Sequence, residues 1–206
     1  MSESSNTGSR LAGAGCDVDW EERYRQCDTP WEKGSAHPAL VAWLRKNLVS
    51  GRVMVPCCGL GYDARALAEA GAEVVGLDIA PFAITAARGF PLQGDISFVL
   101  GDLFRPEAVR GEFDWIFEHT CFCAIPPSRR VDYVRSVTAL LKPGGHLLAI
   151  FFLNPDHDEE GPPYGCSIEE LDALFSPHFW LVEESGSLPT YPGREGREIM
   201  RLLRRI

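Results

Sequence analysis

The chain has 206 residues, 45% of them hydrophobic, with 29 acidic against 20 basic side chains and a formal charge of -9. That length fills one core and falls short of two, given domains of roughly 100 to 200 residues. The acidic balance repels a phosphate backbone and excludes nucleic acid as a partner. No apolar run reaches the roughly 18 residues of a membrane helix, which excludes a membrane partner of that kind.

Residues 1–10 are polar and lack the apolar core of a signal peptide. The reading is a disordered Ser/Gly-rich leader over 1–15, one domain over 16–206, and a cytoplasmic location. Seven cysteines, an odd number without paired CxxC spacing, are expected as reduced thiols holding no metal. Cys121 and Cys123 read as small apolar pocket residues. Residues 17–33 carry Trp20, Tyr24 and Trp31 among charges. The spacing of Ala39, Leu40, Trp43, Leu44 and Leu48 predicts a covering helix over 37–48, closed by Ser50-Gly51.

From there strands and helices alternate: strand 52–56, helix 62–70, strand 73–78, helix 81–88, strand 96–100, strand 113–118, helix 129–141 and strand 146–152. Pro143 and Gly144 are expected to end the helix before the last of these. Such alternation predicts an α/β fold with helices on both faces of a parallel sheet. Ser167 and Glu170 have capping-box spacing for a helix over 167–174. Strands follow at 180–184 and 198–203, the basic residues of the tail forming a solvated face of a terminal strand. No internal repeat is present, and the acidic balance without an exposed apolar helix suggests a monomer.

Two segments carry a ligand signal. The turn Val55-Pro56-Cys57-Cys58-Gly59-Leu60-Gly61-Tyr62-Asp63 leads from strand to helix, and its glycines let the backbone approach a ligand. The following strand ends at Asp78, about 20 residues on, where such folds hold a ribose hydroxyl. This geometry suits the adenosine half of S-adenosylmethionine or of a nicotinamide cofactor, although the full GxGxxG of the latter is missing.

With Trp20-x-x-x-Tyr24, Thr29-Pro30-Trp31-Glu32-x-Gly34, Gly76-Leu77-Asp78-Ile79, Gly101-Asp102-Leu103-Phe104, Phe113-Asp114-x-Ile116-Phe117, Phe122-Cys123-Ala124-Ile125 and Gly161-Pro162-Pro163-Tyr164 added to that turn, the chain resembles a class I S-adenosylmethionine-dependent methyltransferase. Within that class it is similar to the thiopurine methyltransferase superfamily, especially its thiol and halide methyltransferase branch, from Trp20 onward. The resemblance implies a Rossmann-like, mostly parallel seven-stranded sheet, S-adenosylmethionine as cofactor, and a small thiol, sulfide or halide as acceptor. It also implies that Trp20, Tyr24 and Trp31 wall the sulfonium end, where aromatic faces attract a cation by about 0.5 to 2 kcal/mol. By the same resemblance Cys57 and Gly59 lie against the cofactor, Asp78 accepts from ribose, Asp102 and Leu103 hold adenine, and His119 touches the cofactor.

Methyl transfer to a soft nucleophile needs positioning more than acid-base help. A thiol of pKa about 8.5 nevertheless gains from a base, and His119, Asp156, His157 and Tyr164 are the candidates, with His119, Asp156 and Tyr164 foremost. Halide or hydrosulfide needs none. One departure stands out: the family pattern has Gly where this chain has Cys57. If that position requires φ above zero, strain of order 1 kcal/mol follows. Three alternatives remain open: a nicotinamide oxidoreductase, a non-catalytic cofactor-binding protein, and a methyltransferase for selenium, tellurium, aromatic thiol, oxygen or nitrogen acceptors.

Overall fold

A computed structural model describes residues 18–105, 109, 112–154 and 161–206. Helix α1, Trp20–Arg25, is capped by Asp19, whose side chain accepts from the Glu22 N–H. Helix α2, Pro38–Leu44, follows His37 as its cap. Then come β1 (Arg52–Pro56), α3 (Tyr62–Glu69), β2 (Glu73–Asp78), α4 (Pro81–Gly89), β3 (Asp95–Leu100), β4 (Phe113–His119), α5 (Arg130–Leu140), β5 (Leu141–Phe152), α6 (Ile168–Phe175), β6 (Phe179–Ser185) and β7 (Glu198–Arg205).

The seven strands form one sheet in the order β3-β2-β1-β4-β5-β7-β6. β1 to β5 are parallel, and β7 runs antiparallel between β5 and β6. The order in which strands are added therefore reverses between the parallel neighbours β1 and β4, leaving a crevice at their carboxyl ends, the usual ligand position in open α/β sheets. Each sheet face has its own core. α2, α3 and α4 supply Leu40, Trp43, Leu67 and Ile84 on one face, while α5 and α6 supply Tyr133, Val137, Leu171 and Phe175 on the other. The expected α/β Rossmann-like architecture is present, and the sheet is mixed because of β7.

Four expectations are corrected. The covering helix stops at Leu44, so Leu48 is 92% exposed and the neighbouring Val49 is buried instead. β5 begins at Leu141 and runs through Lys142-Pro143-Gly144-Gly145, so the helix is ended by strand pairing with β4 rather than by that segment. The basic residues of the terminal strand do not all share a solvated face: β7 is interior to the sheet, and while Arg204 is exposed, Arg201 is 2% exposed and paired with Asp172 and Glu184. Finally, against the expectation of reduced thiols, Cys57 and Cys121 are joined as a disulfide, with Cα atoms 5.4 Å apart. The capping box is half made. Ser167 accepts from the Glu170 N–H, but the Glu170 carboxylate turns to Arg130.

Candidate active site

The turn after β1 is held by its own backbone. Cys58 N–H donates to the Leu77 carbonyl and Gly61 N–H to the Cys58 carbonyl. Gly59 has φ +53, and a Cβ there would strike Glu32 Oε1 at 2.3 Å and the Tyr24 hydroxyl at 2.8 Å. Glycine is required twice over, by conformation and by space. Cys57 has φ +49 and Thr120, after β4, has φ +64. Both are non-glycine residues in the left-handed region and both line the same small cavity, of about 40 Å³. Backbone strain of this kind, of order 1 to 3 kcal/mol per residue, gathers at functional sites.

Asp78 ends β2 and is buried. Its two carboxylate oxygens accept from Gly59 N–H and Ala80 N–H, each at 2.9 Å. Burial pushes its pKa up, and those N–H groups oppose the rise. The carboxylate is thus held in a fixed position at the end of β2, with lone pairs left over. Asp102 follows β3, the next strand along, where its Oδ1 accepts from Phe104 N–H, while Leu103 is packed into the main core.

The aromatic residues do come together. Trp20 and Trp31 meet edge to face at 5.3 Å, and Tyr24 and Trp31 at 5.7 Å. Trp31 Nε1 donates to the Tyr24 hydroxyl, which donates to Glu32 Oε1. Glu32 Oε1 also accepts from Leu60 N–H in the glycine turn. Burial raises the Glu32 pKa against these donors. The Arg23 guanidinium lies 4.5 Å from the Trp31 ring centre, so that ring already faces a cation. An acidic and aromatic lining fits a sulfonium ligand with a ribose diol, and the left-handed turn lets backbone approach it.

His119, the last residue of β4, has 7% of its side chain exposed and stands on the cavity wall with Cys57, Cys58, Gly59, Asp63 and Tyr191. Its Nδ1 lies 2.8 Å from Asp63 Oδ2, and its buried Nε2 has no hydrogen-bond partner among the described residues. Asp63 Oδ1 accepts from His37 N–H. Burial disfavours the Asp63 charge, but His119 and the His37 N–H outweigh it and hold the carboxyl below its usual range. His37 in turn places Nδ1 under the Ala39 N–H and Nε2 at 3.0 Å from Glu198. Burial lowers the His37 pKa, against the bond to Glu198. Burial also opposes the charge of Glu198, yet bonds from His37, Thr190 and Arg194 bring its carboxyl down to about 2.

His37, His119 and Glu198 each bring one donor atom to within 4.8 Å of the others. The hydrogen bonds speak against a cation there. His37 Nδ1 spends its lone pair on Ala39 N–H, so Nε2 carries the proton and faces Glu198 as a donor.

Of the sequence candidates, Trp31, Cys57, Gly59 and His119 line this cavity, while Trp20 and Tyr24 pack against Trp31 and Asp78 holds the Gly59 N–H. Tyr164 does not line it. Its N–H donates to the Cys123 carbonyl, its carbonyl accepts from Arg130, and its ring covers Gly161. Asp156 and His157 lie outside the described residues, as does the leader 1–15. Cys123 is an inert buried thiol, its pKa pushed to about 12 by burial. The sequence did not single out Asp63, His37, Glu198 or Glu32 as members of this cluster. Asp63 and Glu32 sat inside quoted motifs without a role, while His37 and Glu198, 161 positions apart, carried no signal.

The family model for thiopurine S-methyltransferase matches residues 17–197. This chain belongs to that family. It is 35% identical over 187 residues to thiocyanate methyltransferase 1 of Arabidopsis thaliana, covering 87% of this chain and 81% of that protein. It is also 35% identical over 173 residues to probable thiol methyltransferase 2 of the same plant, covering 82% and 76%. Among solved structures, a Burkholderia thailandensis 1,6-didemethyltoxoflavin-N1-methyltransferase with bound S-adenosylhomocysteine aligns with a TM-score of 0.69 at 20% identity, over 89% of this chain and 84% of that one. That likeness is one of fold. The family makes the chain an S-adenosylmethionine-dependent methyltransferase, and the nicotinamide alternative falls.

Proposed function

We propose that this thiopurine S-methyltransferase family member transfers methyl to a small thiol, sulfide or halide. S-adenosylmethionine supplies the methyl group, already activated on a sulfonium sulfur. The observation that carries the reading is that Trp31, Glu32, Gly59 and His119 line one small cavity at the β1/β4 switch point, with Asp78 bonded to Gly59 and Tyr24 to Trp31 and Glu32. Trp20, Tyr24 and Trp31 would wall the sulfonium end, Gly59 and Cys57 would pass along the cofactor, Asp78 would hold the ribose, and Asp102 with Leu103 the adenine. Relatives named for thiocyanate and thiol acceptors support the acceptor class, and a cavity of about 40 Å³ suits a small reacting group.

We also place the enzyme in the cytoplasm as a monomer of one domain over residues 16–206. No described helix is long and apolar enough to cross a membrane. In a reducing compartment the Cys57–Cys121 bond would depend on the thiol pool.

The test is transfer of labelled methyl from S-adenosylmethionine to hydrosulfide, methanethiol, an aromatic thiol, iodide and bromide, counting headspace and extract. Label in any of them supports the reading. Folded protein that binds S-adenosylhomocysteine yet labels none of the panel would overturn it.

A further inference from the structure

The cavity holds a feature that a preformed anionic acceptor does not require. His119 stands in the cavity wall, and its buried Nε2 has no hydrogen-bond partner among the described residues. A carboxylate only accepts, and Asp63 already accepts from His37 N–H, so Nδ1 of His119 must carry the proton that bridges to Asp63 Oδ2 at 2.8 Å. The other nitrogen is then a bare lone pair. An orphaned buried acceptor is costly to leave unpaired and calls for a donor from a ligand.

The charges around it point the same way. Asp63 faces His119 from the start of α3, His37 from the residue before α2 with ring centres 4.6 Å apart, and Tyr191 from the segment before β7 at 6.2 Å. Glu198 of β7 stands behind His37, neutralised by Arg194. Glu118, next in the strand, is turned away to Tyr133 and the Phe122 N–H. Among the cavity lining, Glu32 and Asp63 are carboxylates and Lys33 the cation. An entering anion meets two carboxylates against one lysine, whereas a thiol meets a proton acceptor in the wall.

Resting on the methyltransferase reading, we propose that Asp63 is the positioning residue that makes His119 a general base, and that the acceptor is a neutral thiol arriving with its proton rather than a halide or another preformed anion. The thiol S–H proton passes to His119 Nε2 while the sulfur pair forms the new bond to the methyl carbon; the old carbon–sulfur bond breaks, and its pair stays on the departing thioether. Later loss of the proton to water restores the ring. The imidazolium formed during the step is stabilised by the Asp63 carboxylate, the usual work of a carboxylate behind a catalytic histidine.

The experiment compares wild type with Asp63→Asn, measuring kcat and KM from pH 6 to 9 with thiols of graded acidity and with iodide and thiocyanate, alongside the ring-nitrogen NMR spectrum of His119. Expected for wild type is a thiol rate nearly independent of thiol acidity, little label in iodide or thiocyanate, and a His119 protonated at Nδ1 and bare at Nε2. Asp63→Asn should lower kcat for thiols by on the order of 100-fold, shift the acid limb of the profile to lower pH, and recover in alkali where thiolate forms unaided. A wild-type rate that simply follows the thiolate fraction, a preference for iodide or thiocyanate, or a ring protonated at Nε2 would overturn the proposal. Should Asp63→Asn fail to fold, the wild-type acidity series and spectrum decide alone. Absence of label in every acceptor overturns the small-acceptor reading instead, and the spectrum still judges the Asp63–His119 pair.

Discussion

At the scale of single residues, Asp78 shows how one side chain serves both fold and ligand. Its strand-end position suggests a cofactor contact, but both its oxygens also hold backbone N–H groups of Gly59 and Ala80. Asp78→Asn can satisfy only one of them and turns an amide donor on the other. Unfolding free energy without ligand is therefore expected to drop by about 1 to 3 kcal/mol in urea denaturation, and S-adenosylhomocysteine affinity by a similar amount in calorimetry. Unchanged stability would show that the carboxylate does not hold the turn, and unchanged affinity would remove it from the site. Cys57 is a second case. The left-handed φ required at that position is free for glycine and strained for cysteine; here the side chain is engaged by Cys121 rather than projecting alone into the crevice.

Between elements, the junction of α5 and α6 rests on Arg130, which is 1% exposed. Its guanidinium donates to both oxygens of Glu170 and to the Tyr164 and Gly165 carbonyls, and it lies over the Phe122 ring. Removing one partner of a buried pair costs about 3 to 5 kcal/mol, but Glu170 reaches water with 35% of its side chain exposed, which reduces the penalty. Arg130→Ala should therefore destabilise by roughly 3 kcal/mol, read as a lower denaturation midpoint with the same slope. The junction lies on the sheet face opposite α3, so S-adenosylhomocysteine affinity should persist; a large loss would mean that the Tyr164 segment contributes to the cofactor site after all. Helix α6 shows why its Ser167/Glu170 spacing was only half informative: the cap bond is local, whereas the destination of the Glu170 carboxylate depends on a residue 40 positions away.

For the molecule as a whole, the His37–Glu198 contact ties the N-terminal segment to β7 across the active-site end of the sheet. The Glu198 carboxyl falls from its ordinary 4.5 to about 2 in the fold. A depressed acid pKa contributes stability that is fully present above the unfolded value and is lost as pH falls through the folded one. The stability gap between wild type and Glu198→Gln should therefore be constant above about pH 4.5 and close as pH approaches 2, in thermal melts followed by circular dichroism. Asp78, Glu118 and Glu32, raised by burial, titrate the opposite way but are common to both proteins and cancel. A gap that does not vary with pH would mean that Glu198 acts through packing rather than charge.

Much of this protein was legible without coordinates, for a physical reason: strand and helix periodicity, glycine turns and the acidic strand end are short-range signals written in neighbouring residues. β1 and β2 were read with their observed bounds, which set Gly59 in the turn after β1 and Asp78 at the end of β2. What only the tertiary structure decided is everything that joins residues distant in sequence. The insertion of β7 between β5 and β6 buried Arg201, the approach of the two turns linked Cys57 to Cys121 across 64 positions, and the meeting of α3 with β4 gave His119 its carboxylate. Those contacts are set by how the two core faces close on the sheet, a long-range packing outcome that no local pattern encodes.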